Sequence, residues 1–252
     1  MPEGNAPALK LAEICWKDFR KLVPDKYDGI ALAIGTIEAH GGIPLGTDII
    51  IPESLCEPVA RRFGLVVAPT VNYGVTRTLL PYPGSHTVTS ETFQKYVTEI
   101  FIGFGRMGFR RLVVLNGHGG HLDELKGAAQ DAYREADIFT VVLHWWLMAP
   151  EASVEVYGAE GGHAAAEETA GVLAVRPDLV RPENVEGLKA ASYDQGVYRF
   201  PFPRPVGVRK AGTGGMPSLD EAKAKEYMAL IERRCIEAVD EAFTGWREEL
   251  GR

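Results

Sequence analysis

Four short apolar runs, separated by longer amphipathic stretches, leave this chain few architectures. Ile30–Ile34 is closed by Gly35, and Leu65–Val71, Arg111–Leu115 and Phe139–His144 follow. Between them, apolar residues recur at helical spacing. One helix is predicted over Asp48–Phe63, closed by Gly64. Thr89 or Ser90 caps a second that runs to about Met107, and a third spans Leu122 to about Arg134. A fourth runs from Ala164 to Val175, stopped by Pro177. Ser218 caps the last, which carries Ala224, Met228, Ile231, Cys235, Val239 and Ala242 on one face. Continuous apolar strands alternating with helices mean an α/β fold whose largely parallel sheet is covered on both faces. Ligands of such sheets bind beyond the carboxyl ends of the strands. The chemistry is therefore expected just after Ile34, Val71, Leu115 and His144. Met148–Gly162 and Tyr193–Pro217 show no periodicity and are predicted as loops acting as lids or subunit contacts. No shift of composition marks a boundary, so residues 1–252 are read as a single domain.

Composition works by exclusion. Lys plus Arg number 27 against 34 Asp plus Glu, a formal net charge of −7. That balance disfavours a nucleic-acid binder, which needs a basic stripe. No apolar run reaches the roughly 18 residues of a membrane-spanning helix. The first five residues have neither a basic nor an apolar leader region, so no signal peptide is expected. Cys15, Cys56 and Cys235 are isolated, which fits a reducing cytoplasm and neither a disulfide framework nor a thiolate zinc site.

Three clusters could carry chemistry. After the first strand, Glu38 and His40 lie two apart and share a side of an extended segment, with Asp48 ten residues on from Glu38. The plain alternative makes Asp48 a helix cap and the other two solvated loop residues. After the third strand comes Asn116-Gly117-His118-Gly119-Gly120-His121, whose glycines allow close backbone approach to a ligand. Its spacing does not match a nucleotide fingerprint. The third cluster is Gly161-Gly162-His163 with Glu167-Glu168-Thr169. Glu168 shares a helix face with Ala165 and Val172, where a carboxylate needs a metal or an ion pair, for example with Arg77. Glu167 faces His163 instead. Together Glu38, His40, Asp48, His118 and Glu168 suit two divalent ions sharing a carboxylate, with zinc, manganese or iron favoured over copper. A nucleophilic serine or cysteine finds no support: no G-x-S-x-G elbow exists, and Ser85 beside His86 reads as a turn.

Gly35-Thr36-Ile37-Glu38-Ala39-His40-Gly41, Pro44-Leu45-Gly46-Thr47-Asp48, Tyr82-Pro83-Gly84-Ser85, Asn116-Gly117-His118-Gly119-Gly120 and Gly162-His163 with Glu168-Thr169 stand in an order that resembles the creatininase (creatinine amidohydrolase) family. The resemblance implies a three-layer α/β/α sandwich and two divalent ions, zinc or manganese with iron as the other option. On that resemblance, water activated by those ions would attack a carbonyl of a cyclic amide, a formamide or a similar small molecule. It also implies a homo-oligomer, often a hexamer. Glu38, His40, Asp48 and His118 take the ligand positions, Asp48 bridging, and Glu168 matches the family's glutamate before threonine. His163 would pass a proton to the leaving group, with Glu168 beside it in the catalytic set and His121 a reserve ligand. Where creatininase proper carries a Tyr-Glu pair after the motif histidine, this chain has Gly119-Gly120. Trp145 and Trp146 would wall the pocket or pack in the core, and Tyr73 and Arg77 would contact substrate. Two other readings compete: carbon–carbon hydrolysis of an oxidised inositol (an inosose-type ring ketone), and a non-catalytic sugar- or nucleotide-binding protein of the same sheet type.

Overall fold

The computed structural model describes residues 7–158, 161–185, 190–193, 207–210 and 218–251. Its helices are α1 (Trp16–Leu22), α2 (Thr47–Phe63), α3 (Ser90–Met107), α4 (Leu122–Ala136), α5 (Pro150–Tyr157), α6 (Ala166–Val175), α7 (Pro182–Val185) and α8 (Glu221–Leu250). Its strands are β1 (Gly29–Ile34), β2 (Val66–Val67), β3 (Arg111–Asn116), β4 (Phe139–His144), β5 (Gly162–His163), β6 (Ala190–Tyr193) and β7 (Gly207–Lys210). The main sheet is wholly parallel, in the order β2-β1-β3-β4, and a small second sheet runs β5-β7-β6.

The two faces of the main sheet follow from the two-residue period of strands. Ala31, Ala33, Val113 and Leu115 join the core built with residues of α2, α5, α6 and α8. Ile30, Leu32, Ile34, Leu112 and Val114 join the core built with α3 and α4. Helices therefore cover both faces, as in an α/β/α sandwich. The register pairs Ile34 with Asn116 and Asn116 with His144, so three strands end level. The loops behind those ends hold Glu38, His40 and His118.

Several elements depart from the sequence expectation for identifiable reasons. The run Leu65–Val71 pairs as a strand only over Val66–Val67, with an isolated bridge from Val71 to Ile34. Pro69 lies between the two and has no N–H to give to a ladder. The stretch Met148–Gly162 contains α5, begun by Pro150 in its first turn and closed by Gly158 at φ +73°. The last helix is capped by Asp220, whose side chain accepts from the amides of Ala222 and Lys223. The Ser218 hydroxyl accepts from the Asp220 amide instead. Of the stretch predicted as a loop from Tyr193 to Pro217, Tyr193 ends β6 and residues 207–210 form β7. Tyr198, Phe200 and Phe202 lie outside the described residues. No helix among the described residues is long and apolar enough to cross a membrane.

Candidate metal centre

The strand-end loops and the first turns of two helices converge on one buried cluster. Glu38 and His40 are each 1% exposed and Asp48 2%, which overturns the reading of a solvated loop. Asp48 does not cap its helix either: the N-cap is Gly46, with no side-chain cap, and the Asp48 carboxylate turns inward. Oδ1 lies 3.0 Å from His40 Nε2 and Oδ2 3.0 Å from His118 Nδ1. Glu38 Oε1 stands 3.2 Å from His118 Nδ1 and 3.5 Å from His163 Nδ1. Glu168 Oε2 is 3.7 Å from His40 Nε2 and 3.9 Å from His163 Nδ1.

The backbone fixes the tautomer of all three rings. His40 Nδ1 is 3.0 Å from the Glu38 carbonyl, His118 Nε2 2.9 Å from the Val75 carbonyl and His163 Nε2 2.8 Å from the Ala39 carbonyl. A carbonyl only accepts, so each of those nitrogens carries the proton. The remaining nitrogen of each ring points toward the carboxylates. Histidine metal ligands are held by this same kind of outer bond. Glu38 Oε1, His40 Nε2 and Asp48 Oδ2 are buried without any hydrogen-bond partner. Such orphaned groups are costly unless something else binds them. Donor atoms within reach of one another form three overlapping triads: Glu38, Asp48 and His118; His40, Asp48 and Glu168; Glu38, His40 and His163. Asp48 belongs to the first two, one oxygen toward each histidine.

Without a cation, the histidines take on that part. Burial opposes charge on His40, but the Asp48 and Glu168 carboxylates push its pKa up to about 10. His118 is likewise raised well above the usual imidazole range by Glu38 and Asp48, against burial. Those two rings in turn hold Asp48 well below the usual carboxylate range despite its burial. Burial pushes Glu168 up to about 8. Burial and the neighbouring His40 charge lower His163 to about 4, so its ring is neutral at pH 7.

A ring of supporting bonds holds the cluster. Thr76 Oγ1 donates to Glu38 Oε2 at 3.0 Å. Ser85 Oγ accepts from the Ala39 amide, and the His86 amide donates to the Ile37 carbonyl, so the Tyr82–His86 turn braces the Glu38–His40 loop. His121 is not a reserve ligand. Its Nε2 accepts from the Val75 amide at 3.1 Å, and its Nδ1 donates to Asn116 Oδ1 at 3.1 Å. Both nitrogens are engaged, the ring stacks on Phe93, and burial and the His118 charge lower its pKa to about 2. Asn116 Nδ2 donates in turn to the His118 carbonyl and to His144 Nδ1.

Glu167 holds His163 through the backbone. Its Oε1 accepts from the Gly162 amide, while Glu168 Oε2 accepts from the Ala164 amide at 2.5 Å. Ala164 sits at φ +53°, a strained value for a residue with a Cβ. The helix-face argument for Glu168 has no force, because α6 buries Ala166, Glu167, Thr169, Ala170, Gly171, Val172 and Leu173, all round its axis. Glu168 is the less buried of the two glutamates. It reaches the cluster from the first turn of α6, which starts at Ala166, later than expected. Arg77 pairs with Glu124 at 2.9 Å, not with Glu168. Trp145 is core, Trp146 is half-buried beside His144, and Tyr73 is exposed, edge-on to His86. Thr76 is a support that the sequence reading did not single out; Ser85, read there as part of a turn, braces the loop through that turn.

The family model described as Creatininase: Creatinine amidohydrolase matches residues 12–239. A creatinine amidohydrolase of Pseudomonas putida is 28% identical over 260 residues, covering 95% of this chain and 96% of that protein. A 3-dehydro-scyllo-inosose hydrolase of Thermotoga maritima is 36% identical over 98 residues, which cover 36% of this chain and 30% of that one. A solved structure described as "Creatininase Mn" superposes with a TM-score of 0.77 at 26% identity, covering 96% of this chain and 98% of its own.

Proposed function

The chain belongs to the creatininase family of hydrolases, and from that premise we propose that it hydrolyses a carbon–nitrogen bond of a small cyclic amide, formamide or related molecule, using two divalent ions. The observation that carries this reading is the convergence of three histidine nitrogens and three carboxylates, two with orphaned oxygens, in one buried cluster. Glu38 with His118 would hold one ion, His40 with Glu168 the other, and Asp48 both. Zinc or manganese suits such oxygen-rich mixed ligation. When bound, the ions supply Lewis acidity to the substrate carbonyl and to the attacking water. His163 keeps its Nε2 proton on the Ala39 carbonyl and takes a proton at Nδ1, then gives it to the leaving nitrogen. Its neutral resting state suits that role.

Glu168 would complete the second position, and Gly120 leaves no space for a side chain that could do so. A Cβ at Gly120 would meet the Val75 carbonyl and stand 2.6 Å from His118 Nε2. The glutamate that follows the motif histidine in creatininase proper therefore has no counterpart, which weakens creatinine as the substrate. The partial match to an inosose hydrolase supports carbon–carbon hydrolysis of a ring ketone as the second reading. Its three unpaired cysteines fit a reducing, cytoplasmic setting.

The test is a screen of the manganese- and zinc-loaded protein against cyclic amides, formamides and inososes, with Glu168→Gln and His163→Asn in parallel. Carbon–nitrogen hydrolysis that both variants lose supports the proposal. Turnover of inososes alone transfers the site to the second reading.

A further inference from the structure

The main sheet has a second feature at its other end. β3 and β4 begin, at Arg111 and Phe139, on the wall of a cavity of about 530 Å³. Arg111 and Asn116 are five steps apart on β3, roughly 17 Å at the rise of a parallel strand. The cavity is thus separate from the metal-ligand cluster.

Its wall combines one aromatic surface with an unbalanced charge. Trp246 meets Phe139 with ring centres 5.1 Å apart and Phe243 at 5.6 Å. Arg111 lies over the Phe243 ring at 4.5 Å and pairs with Asp28. Arg110 stands 3.7 Å from Asp137. Arg247 has a hydrogen bond to Thr244 Oγ1 at 3.0 Å and no carboxylate partner among the described residues. Three guanidinium groups against two carboxylates leave one net positive charge, in a chain whose net charge is −7. Arg247, exposed and without a carboxylate partner among the described residues, is the source of that excess. Among the described residues, Arg111 Nε is buried with no acceptor, and Asp28 is the one partner seen for its fork.

We propose that this cavity binds a planar aromatic monocarboxylate. Its ring packs on Phe139, Phe243 and Trp246, and its carboxylate takes the guanidinium of Arg247. Aromatic faces select a flat ring, and an unpaired guanidinium selects a carboxylate by a charge-assisted fork. The volume suits a one- or two-ring acid.

The probe is 2-naphthoate, titrated by calorimetry into the full chain after chelator treatment, which removes metal chelation as a source of heat. Saturable binding of one naphthoate per chain is expected. Arg247→Gln should weaken it by about tenfold or more, the weight of a hydrogen bond to a charged group. The neutral amide 2-naphthamide should bind the unaltered protein more weakly by a similar factor. Arg247 is exposed, so the fold should survive, and an unchanged thermal midpoint would show it. Trp246→Leu tests the aromatic wall independently and should also weaken binding. His118→Ala should leave binding intact. No saturable binding, binding indifferent to Arg247→Gln and Trp246→Leu, or binding lost in His118→Ala would each overturn the proposal, the last by placing the probe at the metal-ligand cluster.

Discussion

Asp48 joins the two halves of the cluster, because its two oxygens lie 3.0 Å from two different histidines. Asp48→Ala should therefore lose both ions, whereas His40→Ala should lose mainly one; elemental analysis per chain counts them, and equal loss would remove the bridging role. Glu168→Gln should reduce metal content. Glu167→Gln keeps an acceptor oxygen for the Gly162 amide, so it should retain both ions and cost at most about 10–100-fold in rate. Metal lost from the Glu167 variant and kept by the Glu168 variant would exchange their roles. A pH dependence follows from the same residues. At pH 7 the metal-free chain carries protons on His40, His118 and Glu168, which an ion must displace. Manganese binding should release protons, and its affinity should rise with pH through the Glu168 value of about 8, levelling once His40 passes its value of about 10. Calorimetry in buffers of different ionisation enthalpy measures this; heats independent of buffer would contradict it. Glu38, His40 and His118 were legible as candidates because each follows a strand end in a recognisable motif; Asp48 and Glu168 lie in the first turns of α2 and α6, where the motif and not the position marked them. The three carbonyls that orient the rings were not, since a main-chain acceptor has no signature in the sequence.

Among the elements, the start of α2 is the most tightly held. A Cβ at Gly35, at the end of β1, or at Gly117, at the end of β3, would collide with the Asp48 carbonyl. The first turn of α2 thus rests directly on both strand ends, which sets Asp48 between His40 and His118. Gly117→Ala should destabilise the protein by on the order of 1–3 kcal/mol, the usual range for overpacking. It should also lower metal content, because the helix must retreat. A thermal melt and elemental analysis together test this, and a variant with normal metal content would show that the turn is not what sets Asp48. Helices with one apolar stripe, such as α3 and α4, were legible from their period, and Thr89 caps α3 as its position suggested. α6 was legible as a helix but not in its orientation, because an element apolar on every side has no face to read. α5 escaped because eight residues give too few repeats to establish a period.

At the scale of the molecule, alternating strands and helices were enough to predict the parallel sheet and the end at which the ligand cluster lies. They gave no hint of the cavity at the opposite end, which depends on residues as distant as Asp28 and Arg247 meeting in space. The sequence around Tyr198, Phe200 and Phe202 carries more aromatic surface than a solvated loop needs. Light scattering at micromolar concentration should therefore report a mass well above 27.5 kDa, and a monomer would end that expectation. The carbonyls of Glu38, Ala39 and Val75 hold the three rings in place whether or not an ion is bound. Rings pinned by main chain are already aimed before any ion arrives, so the protein has no folding step to wait for when it is recharged. Chains emptied by a chelator should regain their ions without refolding, at a rate set by entry into the buried cluster and by loss of the protons on His40 and His118, which stopped-flow mixing would measure.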